Sequence, residues 1–231
     1  MNILAPVITV DGPSGVGKGT LCRWLANRLG FHWLDSGALY RLTALAALRR
    51  NLALENEAGV TAVAAGLAAE FVTETGGAAR ILLDGAEVGP ELRTETCGAA
   101  ASRVAALPMV RAALLQRQRD FWRLPGLVAD GRDMGTVVFP DAGLKLFLTA
   151  SAEERARRRH KQLSEQGVNA SLKDLADEIA ERDARDRQRA AAPLRPAVGA
   201  EVLDTTHWSI VEVCERALAL AIARLGLPGN C

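Results

Sequence analysis

Residues 12–20 combine glycines, a lysine and a threonine at a spacing that suits phosphate binding. They are Gly12, Pro13, Ser14, Gly15, Val16, Gly17, Lys18, Gly19 and Thr20. Apolar residues 7–10 before them predict a strand, and residues 21–26 after them predict the start of a helix. Glycines let the backbone curl until several N–H groups point at one anion, and the helix adds the positive end of its dipole. Lys18 can then reach the outer phosphates of a nucleoside triphosphate, so we predict a phosphate-binding loop.

The loop departs from the usual form at one position. Gly19 stands where a serine or threonine normally follows the lysine, and Thr20 comes one residue later. The hydroxyl that usually faces the metal is therefore not in its usual place. A Gly-Lys-Gly-Thr ending resembles the loop of nucleoside monophosphate kinases more than the loop of GTPase switches.

Composition excludes several classes of partner. The net charge of the 231 residues is +1 and aromatic residues make up 4%, so we expect neither a nucleic-acid nor a membrane partner. Four dispersed cysteines lack metal-ligand spacing; they are Cys22, Cys97, Cys214 and Cys231. We therefore expect free thiols and a cytoplasmic protein. No amphipathic seam is evident, so we expect a monomer.

The chain alternates strands and helices, which predicts an α/β fold with a mainly parallel, five-stranded sheet. We expect strands within residues 6–10, 31–35, 127–129, 144–148 and 201–203. Residues 70–88 differ, because short apolar runs are split by Gly-Gly and Asp-Gly, which predicts a small antiparallel insertion. We expect a core at about 1–35, 124–154 and 190–231, a second region at about 36–123 that contains the insertion, and a short helical lid at about 155–189.

Polar residues follow most of the predicted strands, where open α/β sheets bind ligands. Ser36 and Arg41 follow the second strand, and a hydroxyl at a helix start with an arginine behind it suits a phosphate. A simple N-cap with a solvated arginine explains them equally well. Asp130 follows the third strand, where an acid can orient metal-bound water, although an Asx turn is the alternative.

Residues 181–189 form the densely charged end of a predicted helix over residues 172–189. Arg182 and Asp186 are four residues apart on one face, as are Arg185 and Arg189. A solvated face of ion pairs explains this pattern taken alone. With a phosphate-binding loop elsewhere, the alternative is a set of arginines that neutralise phosphoryl charge.

Four segments together resemble the bacterial cytidylate kinase family of P-loop kinases. The segments are residues 12–20, residues 35–41 (Asp-Ser-Gly-Ala-Leu-Tyr-Arg), residues 129–136 (Ala-Asp-Gly-Arg-Asp-Met-Gly-Thr) and residues 181–189 (Glu-Arg-Asp-Ala-Arg-Asp-Arg-Gln-Arg). The first is shared by many kinases, whereas the third and fourth are more specific. The resemblance covers essentially the whole chain and implies transfer of the γ-phosphoryl group of ATP to CMP or dCMP.

The resemblance also implies a role for each matching residue. Cytosine would be read by Ser102, Arg111 and Asp133, and the ribose would be held by Arg182 and Asp186. The acceptor phosphate would be bound by Ser36, Arg41, Arg132 and Arg189, with Tyr40 and Asp130 also at the CMP site. Residues 12–20 and the lid arginine Arg157 would bind ATP, and the catalytic set would be Lys18, Arg132, Arg158 and Arg189. Mg²⁺ would be held by the phosphates, with Thr20 and Asp130, the latter through water, as further candidates.

Two other functions stay open at this point. One is a kinase of the same fold for another acceptor, such as AMP, UMP or shikimate. An AMP or UMP kinase should lack the serine–arginine–aspartate set for cytosine. The other is a nucleotide switch or an ATP-driven binding module. A switch needs a serine or threonine directly after Lys18, and this chain has Gly19 there.

Overall fold

The computed structural model describes residues 5–72, 80–165 and 167–228. The chain divides into two compact units. The first comprises Met1–Asp35 and Gln118–Cys231, and the second comprises Ser36–Arg117.

The first unit is built on a five-stranded parallel sheet, as the alternating pattern predicted. Its strands are β1 (Val7–Asp11), β2 (His32–Asp35), β6 (Leu127–Gly131), β7 (Leu144–Thr149) and β8 (Glu201–Asp204), in the order β2-β6-β1-β7-β8. Central β1 consists of buried residues only, because both faces of a parallel sheet are covered by helices. Its side chains Ile8 and Val10 pack in a core with Leu146 and Leu148 of β7.

Four helices and one π-helical turn complete the described part of this unit. They are α1 (Lys18–Leu29), α7 (Ala152–Glu165), α8 (Leu172–Gln188), α9 (Ile210–Leu225) and the turn Met134–Val138. Ser209 begins α9 with a capping box, since its hydroxyl accepts from Glu212 N–H and the Glu212 carboxylate accepts from Ser209 N–H. The predicted lid region corresponds to α7, α8 and the segment that joins them.

The second unit contains helices and a small antiparallel sheet. The helices are α2 (Ser36–Arg49), α3 (Glu57–Ala65), α4 (Gly89–Leu92), α5 (Glu95–Val104) and α6 (Pro108–Arg119). The last two residues of α6 belong to the first unit. The strands β3 (Ala69–Val72), β4 (Arg80–Leu83) and β5 (Ala86–Glu87) pair antiparallel in the order β3-β4-β5, which confirms the predicted insertion. The predicted Gly76-Gly77 turn lies outside the described residues.

Two predictions from local sequence pattern are wrong. Alanine-rich residues 62–69 predict a helix, but α3 begins at Glu57, because the Asn56 side chain accepts from Gly59 N–H, and Ala69 already belongs to β3. Ser151 with Glu154 three residues later is a sequence pattern that predicts a capping box. Ser151 does accept from Glu154 N–H, but Ser151 N–H donates to the Thr206 hydroxyl instead of to the Glu154 carboxylate.

Membrane-spanning potential is limited to one bent pair within the described ranges. No single helix there is long and apolar enough to cross a bilayer, whereas α5 and α6, bent by 102°, pass the same length and composition test as a pair.

Candidate active site

The phosphate-binding loop lies between β1 and α1, as predicted, and its shape depends on glycine. A Cβ atom on Gly12 would lie 2.2 Å from the main-chain oxygen of Leu148, so no other residue fits there. Gly17 has a φ of 91° and caps α1 without any side-chain hydrogen bond. No side chain of the capping residue therefore occupies the first N–H groups of α1, and N–H groups at a helix start suit an anion.

Lys18 is the buried cation of this loop. It is 6% exposed, and its Nζ donates to the Pro13 main-chain oxygen at 2.8 Å. Burial lowers the pKa of Lys18 and the nearby Arg132 lowers it further, whereas Asp130 opposes the shift. An ammonium group in so little water is a strong partner for phosphate oxygens.

Asp130 is the acidic neighbour of the loop. Burial raises the pKa of Asp130, and Lys18 opposes that rise, so the two groups form a coupled buried pair. A Cβ atom on Gly19 would lie 3.5 Å from Asp130 Oδ2. The carboxylate thus lies beside the position where other loops carry a hydroxyl.

Asp11 is a buried carboxylate that the sequence analysis did not single out. Its two oxygens accept from the N–H groups of Met134 and Gly135, each at 2.8 Å, where the π-helical turn begins. Burial raises the pKa of Asp11 to about 6, although both hydrogen bonds oppose the rise. Asp11 therefore fixes the backbone that follows Asp133. The sequence did contain a signal for this role, because Asp11 is the one charged residue of a largely apolar strand and directly precedes the loop.

The charged end of α8 is not a solvated face. Asp186 is 5% exposed, and its Oδ2 lies 2.9 Å from Arg132 Nε. Burial opposes ionisation of Asp186, but Arg132 and then Arg182 lower its pKa below the usual value. Arg189 Nη2 lies 3.9 Å from Asp133 Oδ1, and Arg189 Nε donates to the Ala192 main-chain oxygen at 2.6 Å. Asp133, Arg132, Arg182, Asp186 and Arg189 therefore form one charged cluster in the first unit.

Three of the four arginines of α7 have clearly different environments. Arg155 is 4% exposed and pairs with Asp183. Arg158 pairs with Glu154 and donates to the main-chain oxygens of Val16 and Thr205. The Arg157 side chain is 57% exposed and pairs with Glu153 and Glu154. The resemblance assigns Arg157 and Arg158 to the active site, and of these two only Arg158 contacts the phosphate-binding loop.

In the second unit, the predicted residues lie on α2, α5 and α6. Ser36 is buried at the start of α2, and Arg41 donates to the Leu92 main-chain oxygen. The Arg111 guanidinium lies 5.5 Å from the centre of the Tyr40 ring and also donates to the Ala105 main-chain oxygen. Tyr40 and Arg111 are thus brought together.

Ser102 belongs to the same unit, and its hydroxyl group is buried without a hydrogen bond to any described residue. The residue is 6% exposed on α5, and its hydroxyl has no hydrogen-bond partner within the described residues. A buried hydroxyl without a partner is costly, so a ligand that can bond to it gains that energy on binding.

The groups near the loop fit a magnesium ion that is bound mainly by a nucleotide. Within residues 5–72, 80–165 and 167–228 no three His, Cys, Asp or Glu side chains cluster as metal ligands. The Asp130 carboxylate lies beside Gly19, and Thr20 is an exposed hydroxyl one residue later on α1. Carboxylate and hydroxyl oxygens suit Mg²⁺, which keeps several waters and binds substrate phosphates.

Comparison with known proteins points to one family. The family model described as cytidylate kinase matches residues 8–223. A cytidylate kinase of Vibrio vulnificus is 56% identical over 225 residues, covering 97% of this chain and 99% of that protein. A cytidylate kinase of Yersinia enterocolitica is also 56% identical, over 228 residues, covering 99% of each chain. The solved structure of TT1252 from Thermus thermophilus is 21% identical with a TM-score of 0.47, covering 98% of this chain and 100% of that one.

Proposed function

Because the chain belongs to the cytidylate kinase family, we propose that it transfers the γ-phosphoryl group of ATP to CMP or dCMP and releases ADP with CDP or dCDP. The observation that supports the chemistry is the buried Lys18 in a glycine-shaped loop at the start of α1. That arrangement binds phosphates, and the family supplies the acceptor.

On the donor side, residues 12–20 hold the phosphates of ATP. The N–H groups at the start of α1 and the Lys18 ammonium bind phosphate oxygens, while Arg157 and Arg158 act as the ATP-side arginines of α7. Arg158 already contacts the Val16 main-chain oxygen, which favours it over Arg157. Mg²⁺ would be held by the phosphates, Thr20 and water on Asp130, and it would supply positive charge that neutralises the phosphoryl groups.

On the acceptor side, the residues fall into three groups. The acceptor phosphate is bound by Ser36, Arg41, Arg132 and Arg189, and the ribose by Arg182 and Asp186. The base is read by Ser102, Arg111 and Asp133, and Tyr40 supports Arg111.

Discrimination against uracil follows from hydrogen bonding. Cytosine offers an amino donor, which the Asp133 carboxylate accepts, and ring acceptors, to which Arg111 donates. Uracil presents a carbonyl in place of the amino group, so Asp133 would face an acceptor without a proton between them. A site that is built for a donor rejects a ligand that lacks it, because its own polar group is left unpaired.

The reaction itself needs no strong base. The second pKa of a phosphate monoester lies near 6, so the attacking oxygen is already mostly ionised at pH 7. Catalysis then consists of alignment and charge neutralisation, which Lys18, Arg132, Arg158 and Arg189 supply. Excluding water prevents transfer of the phosphoryl group to water instead of to CMP.

The test is ADP release from ATP and Mg²⁺ with a panel of CMP, dCMP, UMP, AMP, GMP and shikimate. We expect fast turnover of CMP and dCMP, with UMP far behind. A preference for another acceptor would leave the donor assignment standing and overturn the roles of Ser102, Arg111 and Asp133. An absence of turnover with every acceptor would reject the kinase assignment.

A further inference from the structure

We propose that Arg155 and Asp183, a buried ion pair outside the assigned ATP and CMP residues, are positioning residues that hold the phosphate-binding loop in its reactive shape. The inference rests on the proposed function, because it concerns how that loop holds the donor phosphates. The two side chains are 5% and 6% exposed, and Arg155 Nη2 lies 2.7 Å from Asp183 Oδ2.

The Arg155 guanidinium contacts two main-chain oxygens in addition to the Asp183 carboxylate. Its Nε donates to the Ala150 main-chain oxygen at 3.2 Å, just before α7 begins. Its Nη1 donates to the Ser14 main-chain oxygen at 3.3 Å, inside the phosphate-binding loop. Since the guanidinium is planar and rigid, fixing it at Ala150 and Asp183 also fixes the direction of the bond to Ser14.

The backbone of the loop also packs directly on Arg155. Gly15 has a φ of 78°, and a Cβ atom on it would lie 3.1 Å from Arg155 Cβ. The backbone and Cβ of Arg155 therefore limit how closely Gly15 can approach α7, while the guanidinium orients the Ser14 carbonyl group. A carbonyl held outward turns its peptide plane, and the N–H group on the other side of that plane is then directed as well.

Asp183 connects this contact to α8. It lies next to Arg182 and three residues before Asp186, so the helix that holds Arg155 also carries residues proposed for the ribose. The exposed side chain of Arg187 makes only a long ion pair with Asp183, with 3.9 Å between Arg187 Nη2 and Asp183 Oδ2. Asp183 Oδ1 is buried and accepts no hydrogen bond from any residue that the structure describes.

Stability alone is a poor reason for such a pair. Burying two charges costs more than their attraction returns in many proteins, and apolar residues of similar size are often as stable. A guanidinium that bonds two main-chain oxygens does what no apolar residue can do, which is to set the path of the loop. The geometry therefore points to positioning of the donor phosphates.

The sharpest test is Arg155→Lys, because it separates charge from geometry. Lysine keeps a cation beside Asp183 but cannot donate to Ser14, Ala150 and Asp183 in one plane. We expect the variant to keep most of the wild-type melting temperature while kcat/KM for ATP falls about 100-fold, the loss that a small misplacement of reacting groups produces. The dissociation constant for ATP, measured by calorimetry without CMP, should rise as well.

Three further variants control the result. Asp183→Asn frees Arg155 from its carboxylate, so it should reproduce the kinetic loss of Arg155→Lys. Arg187→Ala removes the exposed, weak partner of Asp183 and should leave both kcat and ATP affinity unchanged. Leu175→Ala opens a cavity in the buried face of α8 and should lower the melting temperature without changing ATP affinity.

The outcomes are distinguishable from failure of the proposed function. If wild-type protein turns over no acceptor, the kinase assignment fails, and the ATP affinities of the variants still decide the positioning role. If Arg155→Lys and Asp183→Asn bind and turn over ATP like wild type, or change only the melting temperature as Leu175→Ala does, the pair is structural and the proposal is wrong.

Discussion

The two units of the chain hold their less exposed arginines in different ways. In the first unit, arginines face carboxylates. The pairs are Arg132–Asp186, Arg155–Asp183 and Arg189–Asp133. In the second unit, three less exposed arginines donate to main-chain oxygens, whereas exposed arginines such as Arg49 and Arg80 pair with glutamates. The contacts are Arg41 to Leu92, Arg111 to Ala105, and Arg117 to Leu67 and Ala69.

The difference concerns how much positive charge is left for a ligand. A carboxylate neutralises the arginine that it holds, whereas a carbonyl carries only a partial charge and fixes the side chain without cancelling its charge. We infer that Arg41 offers a largely uncompensated charge to a phosphate. Arg132 would instead interact with both Asp186 and the ligand, and Asp186 already neutralises part of its charge. Removal of an arginine should therefore have different consequences in the two units.

Lys18→Ala removes the buried lysine of the first unit and should have the largest effect. Lys18 is buried beside Asp130, and its loss removes the point charge aimed at the transferring phosphoryl group. We expect kcat to fall about 1000-fold, the upper range for one preorganised donor, in a protein that stays folded. The check is steady-state ADP release, with Lys161→Ala, an exposed lysine of α7, as the control. Near-normal turnover would reject the donor assignment.

Arg132→Met and Arg41→Met compare the two units directly. Arg132→Met leaves Asp186 buried without its main partner, so we expect a loss of about 3 kcal/mol in the free energy of unfolding and a higher KM for CMP. Arg41→Met leaves only a carbonyl without its donor, so we expect the higher KM for CMP with a loss of about 1 kcal/mol. Urea unfolding and CMP titration measure both quantities. Equal losses of stability would remove the distinction between the units.

Asp133→Ala tests the base-reading role within the paired cluster. We expect kcat/KM for CMP to fall about 100-fold, the value of a hydrogen bond to a charged group, while the dissociation constant for ATP stays close to wild type. The ratio of CMP to UMP turnover should fall with it. Asp141→Ala, on an exposed loop residue, is the control. If affinity for ATP falls as far as activity with CMP, Asp133 has a structural role instead.

Asp11→Asn is expected to give the smallest of these effects, and it depends on pH. The Asp11 pKa is raised from 3.8 to about 6, so the folded protein binds more protons than the unfolded chain between these values. Its contribution to stability is therefore present at low pH and is lost as pH rises through about 6. We expect the stability of wild type relative to Asp11→Asn to fall by about 2 kcal/mol between pH 4 and pH 6. Parallel urea profiles over that range would contradict the raised pKa.

Much of the fold was predictable from local pattern. The glycine-rich loop, the five strands and the antiparallel insertion follow from short-range rules for turns, apolar alternation and capping, and all are present. The start of α3 was missed because Asn56, not the alanines after it, sets the helix start. Candidate site residues after β1, β2 and β6 could be proposed because open α/β sheets bind ligands at the carboxyl ends of their strands.

What the sequence by itself determined is which residues are candidates for phosphate binding and roughly where the elements begin and end. Only the tertiary structure decided what each charged side chain does. Residues 155, 157 and 158 are all arginine, but successive helical residues point about 100° apart. Packing of α8 against α7 buries Arg155 on Asp183, leaves Arg157 in solvent and places Arg158 on the loop. Asp11 gained its importance in the same way, because its partners Met134 and Gly135 are more than a hundred residues away. Burial and long-range contacts set these roles, and neither is encoded in local sequence pattern.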